Sequence, residues 1–280
     1  MTVDSQQRYA WAGAAVLIFG VALAWLMRPI GSSPPPPQGV MVFAAASLRD
    51  VMHDVGSAFT IERGTGAERV HFNIAGSNVL AQQIVAAAQA DLFVSANEHW
   101  LDHVDRAGRV VDGTRKAILS NRLVVVAHKT TSWKVDEPTD LSRLPFEHLS
   151  LGNPDAVPAG RYAKQFLEAA ALDDGTLWDA VSDRVAPAPD VRAALALVES
   201  DPSVLGIVYR TDATASDDVR ILYEIPESDI PPVRYAVARI YRPDAPAGAQ
   251  AFYEFLFSDP AQELFAERGF IPIKQDSPGP

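Results

Sequence analysis

No cysteine occurs among the 280 residues. That excludes disulfides, thiolate metal sites, a Cys nucleophile and a lipid-modified N-terminal Cys. Basic residues are scarce too: 24 Lys and Arg stand against 35 Asp and Glu, a formal net charge of −11. A chain this acidic, with no clustered Lys or Arg, is not built to hold a phosphate backbone or to dock on anionic lipid. No nucleic-acid partner is therefore expected. Neither an H-E-x-x-H nor a G-x-S-x-G pattern is present, so a zincin helix and a nucleophile elbow are both missing. No internal repeat or low-complexity segment interrupts residues 40–273.

What is present is apolar residue in quantity, 48% of the chain, enough for a sizeable core in one or two domains. One long uncharged apolar run exists, Trp11 to Met27. Two readings stand for residues 1–28. Ala22-Leu23-Ala24 fits signal-peptidase cleavage after a short apolar region. Alternatively the run ends uncut at Arg28 as an anchor, at the short limit for a membrane span, with membrane contact through residues 11–27. Either sends the rest across a membrane, to the periplasm or the outer face of the cytoplasmic membrane. "RPIGSSPPPPQG" then makes residues 29–39 a stiff proline-rich linker, and the folded unit begins near Val40. The tail "KQDSPGP" reads as a frayed end.

Beyond Val40, short runs rich in Val, Ile, Phe and Tyr alternate with helical patterns. "VMVF", "RVHFNI", "ADLFVS", "RLVVVAH", "LSLG", "GIVYR", "VRILYEI" and "VRYAVARIY" are the strand candidates. In "SLRDVMHDVGSAFT", Leu48, Val51, Met52, Val55 and Phe59 fall on one face of a helix. "SNVLAQQIVAAAQ", "GRYAKQFLEAAAL", "DVRAALALVESD" and "GAQAFYEFLFSDPAQELFAERG" are the other helix candidates. Strand–helix alternation predicts an α/β fold with parallel sheets flanked by helices.

In such sheets ligands sit beyond the strand C-termini, where helices begin. Four helix starts share a style. "AAASLRD" places Ser47 as an N-cap with Asp50 three residues on, and "NIAGSNVLAQQ" places Gly76-Ser77 after a strand. "NPDAVPAGRYAK" opens a helix at Pro158-Ala159-Gly160, and "APAPDVRAALA" opens another at Pro189-Asp190-Val191. A helix N-terminus leaves N–H groups unpaired and carries partial positive charge, so several aimed at one point would hold a small oxyanion without Lys or Arg. Any one of them alone is an ordinary capped helix, since Ser and Asp are default caps.

"VFAAASL", "GSNVLAQQIVAAAQADLFVSANEHWLD", "NRLVVVA", "NPDAVPAGRYAK", "APDVRAALALVE" and "LGIVY" together resemble the periplasmic molybdate-binding proteins of ABC-type importers, from about Val40 to Ile273. The resemblance implies a two-lobed periplasmic-binding-protein fold, each lobe a mostly parallel sheet flanked by helices, with two hinge crossings. It implies an anion between the lobes and delivery of that anion to a membrane permease. The ligand would be molybdate or tungstate, with no cofactor. It carries the family's ligand positions onto Ser47, Ser77, Ala159, Val191 and Tyr209; Tyr209 rests on the resemblance alone. Asn78 and Asn153 depart from the family's usual residues, as positions that could adjust cleft hydrogen bonding, and "LDDGTLWDAVSDR" is a longer stretch placed on the surface. With crossings near Ser120-Asn121 and Pro231-Pro232, one lobe would be 40–121 plus 233–280 and the other 122–232.

Rival readings are weaker. Ser47 as a nucleophile lacks a base, because His53 is six positions on and faces elsewhere on the helix; no enzyme is expected. His99 and His103 stand at i, i+4 with Asp102 between them, a spacing that suits a shared Zn²⁺ or Ni²⁺, but an exposed helix face explains them as well, and no metal site is assigned. Another oxyanion such as sulfate on the same fold, or a membrane-anchored oxyanion sensor, remains as the alternative.

Overall fold

The computed structural model describes residues 39–64, 68–87 and 89–274. The segment read as signal peptide or anchor, nearly all of the proline-rich linker, and most of the tail lie outside the described residues. Two sheets organise the rest. The first contains β1 (Val40–Ala45), β2 (Val70–Ala75), β3 (Leu92–Ser95), β4 (Lys116–Ser120), β12 (Arg234–Arg239) and β13 (Ile271–Pro272), in the order β13-β4-β12-β3-β1-β2. The second contains β5 (Leu123–His128), β6 (His148–Gly152), β9 (Val185–Ala188), β10 (Val204–Tyr209) and β11 (Val219–Glu224), in the order β11-β5-β10-β6-β9. β7 (Ala171–Leu172) and β8 (Gly175–Thr176) form a small separate hairpin.

Strand direction explains how the sheets meet. The chain passes from the first to the second at Asn121-Arg122, and returns between Glu224 and Arg234. A strand that leaves one lobe toward the seam enters the other running away from it. β5 and β12 are those entering strands, and each is antiparallel to both of its neighbours. Apart from them and the short β13, every strand in the two sheets ends at the seam.

The helices are α1 (Arg49–Arg63), α2 (Ser77–Ala87), α3 (Glu98–Arg106), α4 (Pro158–Ala169), α5 (Leu177–Val181), α6 (Val191–Ser200), α7 (Arg210–Thr214), α8 (Gly248–Phe255) and α9 (Asp259–Glu267). Strand alternation feeds both faces of the first sheet. On β12, Tyr235 and Val237 join the larger core, while Ala236 and Ala238 join a second cluster with Phe43, Leu80, Ile84, Phe93 and Leu101. The period of two does this directly.

Four details differ from the sequence reading. The single C-terminal helix pattern is two helices, because Pro260 occupies the first turn of a new helix after Ser258 and cannot continue the old one. β4, β9 and the two-residue strands β7, β8 and β13 have no counterpart among the strand candidates, and β7 takes Ala171-Leu172 from the end of the helix candidate "GRYAKQFLEAAAL". β9 carries Pro187, which a sheet tolerates because β9 is an edge strand. The stretch placed on the surface is only partly there: Leu177 and Val181 of α5 are wholly buried and belong to the core. Ser47 is not an N-cap. It lies inside a 3-10 turn, Ala46–Leu48, and caps no N–H, because its hydroxyl is taken by a distant partner described below.

Helix α4 sits hard on the end of β6. A methyl group at Gly160 would lie 1.8 Å from the Gly152 carbonyl oxygen. Only backbone is there to give way. Gly160→Ala is expected to destabilise the protein by about 1–3 kcal/mol or more, read as a lowered urea midpoint; an unchanged midpoint would show that α4 can lift off the sheet freely.

Candidate functional site

Register places the helix starts beside one another. β1 pairs in parallel with β2 and β3, with Ala45 opposite Ala75 and Ala44 opposite Val94. The turn at Ala46-Ser47, the start of α2 at Gly76-Ser77 and Ala96 therefore emerge at one level. In the second sheet Gly152 pairs with Ala188, which sets the starts of α4 and α6 side by side. The two groups face each other across the seam. A methyl group at Gly76 would come within 2.9 Å of the Pro189 carbonyl oxygen, so the absence of a side chain there lets the lobes meet.

Between them lies a narrow cleft, partly open to solvent. It is lined by Ala45, Ala46, Ser47, Gly76, Ser77 and Ala96 from one side, and by Val157, Pro158, Ala159, Asp190, Val191 and Tyr209 from the other. All five sequence-predicted positions are among them: Ser47, Ser77, Ala159, Val191 and Tyr209. Each is at least 96% buried. The sequence reading did not foresee the framing residues Val157 and Ala96, whose only local signal is small size or apolarity.

The polar groups have defined partners. Ser77 Oγ accepts from the Ala96 backbone N–H at 3.0 Å. Ser47 Oγ pairs with the Tyr235 hydroxyl at 2.9 Å. Asp190 caps α6 by accepting from the Ala193 N–H at 2.9 Å, and is the one carboxylate among the lining residues. The Tyr209 hydroxyl is buried without a hydrogen-bond partner among the described residues. Its ring lies 5.7 Å from that of Tyr235, centroid to centroid. Burial, then the neighbouring Tyr235, holds the Tyr209 phenol well above its ordinary value, so it is a neutral O–H donor. The first N–H groups of α2, α4 and α6 have no intrahelical acceptor. Among the described residues no Lys or Arg lines the cavity. Small side chains, convergent N–H donors and three hydroxyls make a lining suited to a small anion, held by charge-assisted hydrogen bonds rather than by a counter-charge.

Asn78 is half-buried beside this lining and leaves its Oδ1 unpartnered. Asn153 does not line the cavity; its Oδ1 accepts from the Asp155 N–H at 3.0 Å in a turn before α4. His99 and His103 pack edge-on against Trp100, at 5.2 and 5.6 Å between ring centroids. Among the described residues no group of three His, Cys, Asp or Glu could hold a metal ion. Trp100 itself spans the seam, donating from Nε1 to the Ala156 carbonyl at 2.8 Å.

One cation stands just outside. Arg192, next to Val191, meets Asp50 of the first lobe at 2.6 Å and Asp212 of the second at 2.6 Å. Asp212 is fully buried, and its contact with Arg192 is a charge contact rather than an aligned hydrogen bond. Burial pushes its carboxyl up to about 7 against the opposing pull of Arg192. Burial works to lower Arg192, but Asp212 and Asp50 outweigh it and raise its pKa.

The fold and the site define a two-lobed solute-binding protein. Its sequence is 41% identical over 235 residues to the molybdate-binding protein ModA of Escherichia coli (strain K12), covering 82% of this chain and 88% of that one. Among solved structures, the periplasmic molybdate-binding protein of Azotobacter vinelandii superposes with a TM-score of 0.71 at 21% identity, covering 84% of this chain and all of that one. The sulfate-binding protein SubI of Mycobacterium tuberculosis H37Rv superposes equally well, at 0.71 and 20% identity, covering 85% and 88%. With a model of bacterial extracellular solute-binding proteins matching residues 40–271, the chain belongs to that family and groups within it with the ModA proteins.

The Asp212 carboxyl gives a pH test. Between about 4 and 7 the folded protein keeps a proton on Asp212 that the unfolded chain has released. This residue's contribution to stability is therefore complete below that window and is lost as pH rises through it. Urea unfolding of the wild type should lose stability from pH 4 to 7 relative to Asp212→Asn, which lacks that slope. Parallel curves would show that Asp212 is ionised throughout.

Proposed function

We propose that the cavity captures a fully deprotonated tetrahedral oxyanion, molybdate and also tungstate, for delivery to the membrane permease of an ABC importer. The observation that carries this reading is the convergence of Ser47, Ser77, Ala159, Val191 and Tyr209 on one cavity, with the buried Tyr209 hydroxyl lacking an aligned acceptor among the described residues. Ser47 and Ser77 would donate from hydroxyl and amide, Ala159 and Val191 from backbone N–H, and Tyr209 from its phenol. Kinship with ModA supports the choice of anion.

In this reading residues 40–121 with 233–280 form one lobe and residues 122–232 the other, and the two passages between sheets act as hinges. An anion that touches both lobes binds the closed arrangement better than an open one, and that difference drives closure. The Asp50–Arg192 pair and the Trp100–Ala156 hydrogen bond join the lobes and would break on opening. The protein would work outside the cytoplasmic membrane, without cofactor or catalysis. Among the described residues no helix is long and apolar enough to cross a membrane, so any anchoring would fall to residues 11–27.

Sulfate is the second reading. The fold matches a sulfate-binding protein as closely as a molybdate-binding one, and both anions are fully ionised.

Calorimetric titration of the purified protein with molybdate, tungstate, sulfate and phosphate tests the choice. Molybdate and tungstate should bind tightly, and sulfate far more weakly. Ser47→Ala and Tyr209→Phe should each cost roughly 10- to 100-fold in molybdate affinity, the worth of a buried hydrogen bond to a charged group. Tightest binding of sulfate or phosphate would keep the site and overturn the anion. Silence with all four would overturn oxyanion capture.

A further inference from the structure

Ser47 is tied to a buried chain of hydrogen bonds that has a direction. The chain starts at Asn121, in the first passage between the sheets. Asn121 Oδ1 accepts from the Arg122 backbone N–H at 2.8 Å. A backbone N–H can only donate, so this bond settles which end of the amide is oxygen. The other end, Nδ2, can only donate. It lies 2.9 Å from Thr211 Oγ1 and 3.4 Å from the Tyr235 hydroxyl, one proton for each.

The Tyr235 oxygen thus receives a proton from Asn121, and its own proton is left for an acceptor. Tyr235 is wholly buried. Burial first, and then Asp212, raise its pKa far above that of an ordinary phenol, so the proton stays on. Two hydroxyls neighbour it. Ser47 Oγ meets it in good hydrogen-bond geometry at 2.9 Å, whereas the Tyr209 hydroxyl interacts with it no more than electrostatically and makes no aligned bond among the described residues, so Ser47 is the acceptor. Ser47 therefore accepts from Tyr235, and its single hydroxyl proton has to find a partner elsewhere. Ser47 lines the cavity, so a guest there can accept that proton. Were the Tyr235–Ser47 bond reversed, Ser47 would spend its proton on Tyr235 and show lone pairs to the cavity instead. Ser77 reaches the same state by a shorter route, with its oxygen accepting from the Ala96 N–H.

We propose that Asn121 and Tyr235 are positioning residues that hold Ser47 as a donor, and that they thereby bias the cleft against oxyanions that keep a proton. The inference rests on the oxyanion reading above. Its consequence is selective. A fully ionised anion offers lone pairs to Ser47, Ser77 and Tyr209 alike. At any of these three hydroxyls, an anion's own O–H, as in hydrogen phosphate, would meet another donor and lose a hydrogen bond on each side.

A double-mutant cycle tests this on the full chain. Molybdate and phosphate affinities are measured by calorimetry for the wild type, Ser47→Ala, Tyr235→Phe and the double variant, with folding checked by circular dichroism. Tyr235→Phe should weaken molybdate binding roughly tenfold. Phosphate affinity should be unchanged or higher, so the molybdate-to-phosphate ratio falls. Ser47→Ala should then cost at most about twofold in the Tyr235→Phe background, because the two residues act as one unit. Additive losses, or equal losses for both anions, would overturn the relay while leaving oxyanion capture intact. If the wild type binds no oxyanion, the relay and the reading beneath it fall together. Should Tyr235→Phe not fold, Asn121→Asp replaces it: a carboxylate at that position accepts from Tyr235 and reverses the chain. Its added charge would weaken every anion, but the reversal predicts a further drop in the molybdate-to-phosphate ratio, and an unchanged ratio would overturn the proposal.

Discussion

The positive ends in this cleft are backbone N–H groups at helix starts, and they fall off within a single turn. To act together they must converge to within hydrogen-bonding distance of one small volume. The arrangement of the two sheets follows from that constraint. Both aim most of their strands at a common seam, and the exceptions other than the two-residue β13 are β5 and β12, the strands by which the chain enters each lobe. Parallel register then levels the strand ends, so that Ser47 and Ser77 emerge together on one side and the starts of α4 and α6 together on the other. Small residues complete the requirement. Gly76 lets the Pro189 carbonyl approach, and Gly152 with Gly160 lets α4 seat directly on its sheet.

Much of this was legible in the sequence because its signals are local. A strand that closes in Ala-Ala-Ala-Ser, or a helix entered through Pro-Ala-Gly, announces where a backbone end lies. The family resemblance then joined four such ends and added Tyr209. What stayed hidden is what depends on partners far along the chain. Ser47 read as an N-cap because Ser with Asp three residues on usually is one. Its hydroxyl instead serves Tyr235, 188 residues away, and no local pattern marks a Tyr in an apolar strand as the holder of a distant serine. Arg192 and Asp50 likewise both sat inside motifs that were read, yet nothing in either motif indicates that they meet. β9 was missed for a third reason: Pro187 argues against a strand unless the strand is known to be an edge.

Arg192 shows why a cation beside the cleft need not be a counter-charge for an anion in it. It touches two carboxyl groups, one in each lobe, and Asp50 alone matches its charge. It acts mechanically, tying α6, whose first residue lines the cavity, to the first turn of α1 across the seam. Because Asp50 is partly exposed while Asp212 is buried, the two contacts differ in kind. The Asp50 pair lies at the rim, where screening keeps its strength modest. The Asp212 contact is interior and fixes the guanidinium within its own lobe whether or not the seam is closed.

Apart from the Asp190 carboxylate, which caps α6, the cleft offers neutral donors, a consistent design in an acidic protein. The net charge of −11 disfavours dianions at long range, so selectivity cannot come from steering and has to come from contact. A lysine in the cleft would attract any dianion and add little discrimination among them. Fixed dipoles respond to where lone pairs sit and to whether a proton is present. That separates ionised from protonated oxyanions, but it treats sulfate and molybdate alike, since both offer only acceptors. The remaining discrimination must be steric, and it falls to residues without polar side chains: Ala45, Ala46, Ala96, Val157, Pro158, Ala159 and Val191 set how far apart the donors stand. On the oxyanion reading, hydrogen-bond direction would decide the protonation state of the guest, and the alanines and valines would decide its size.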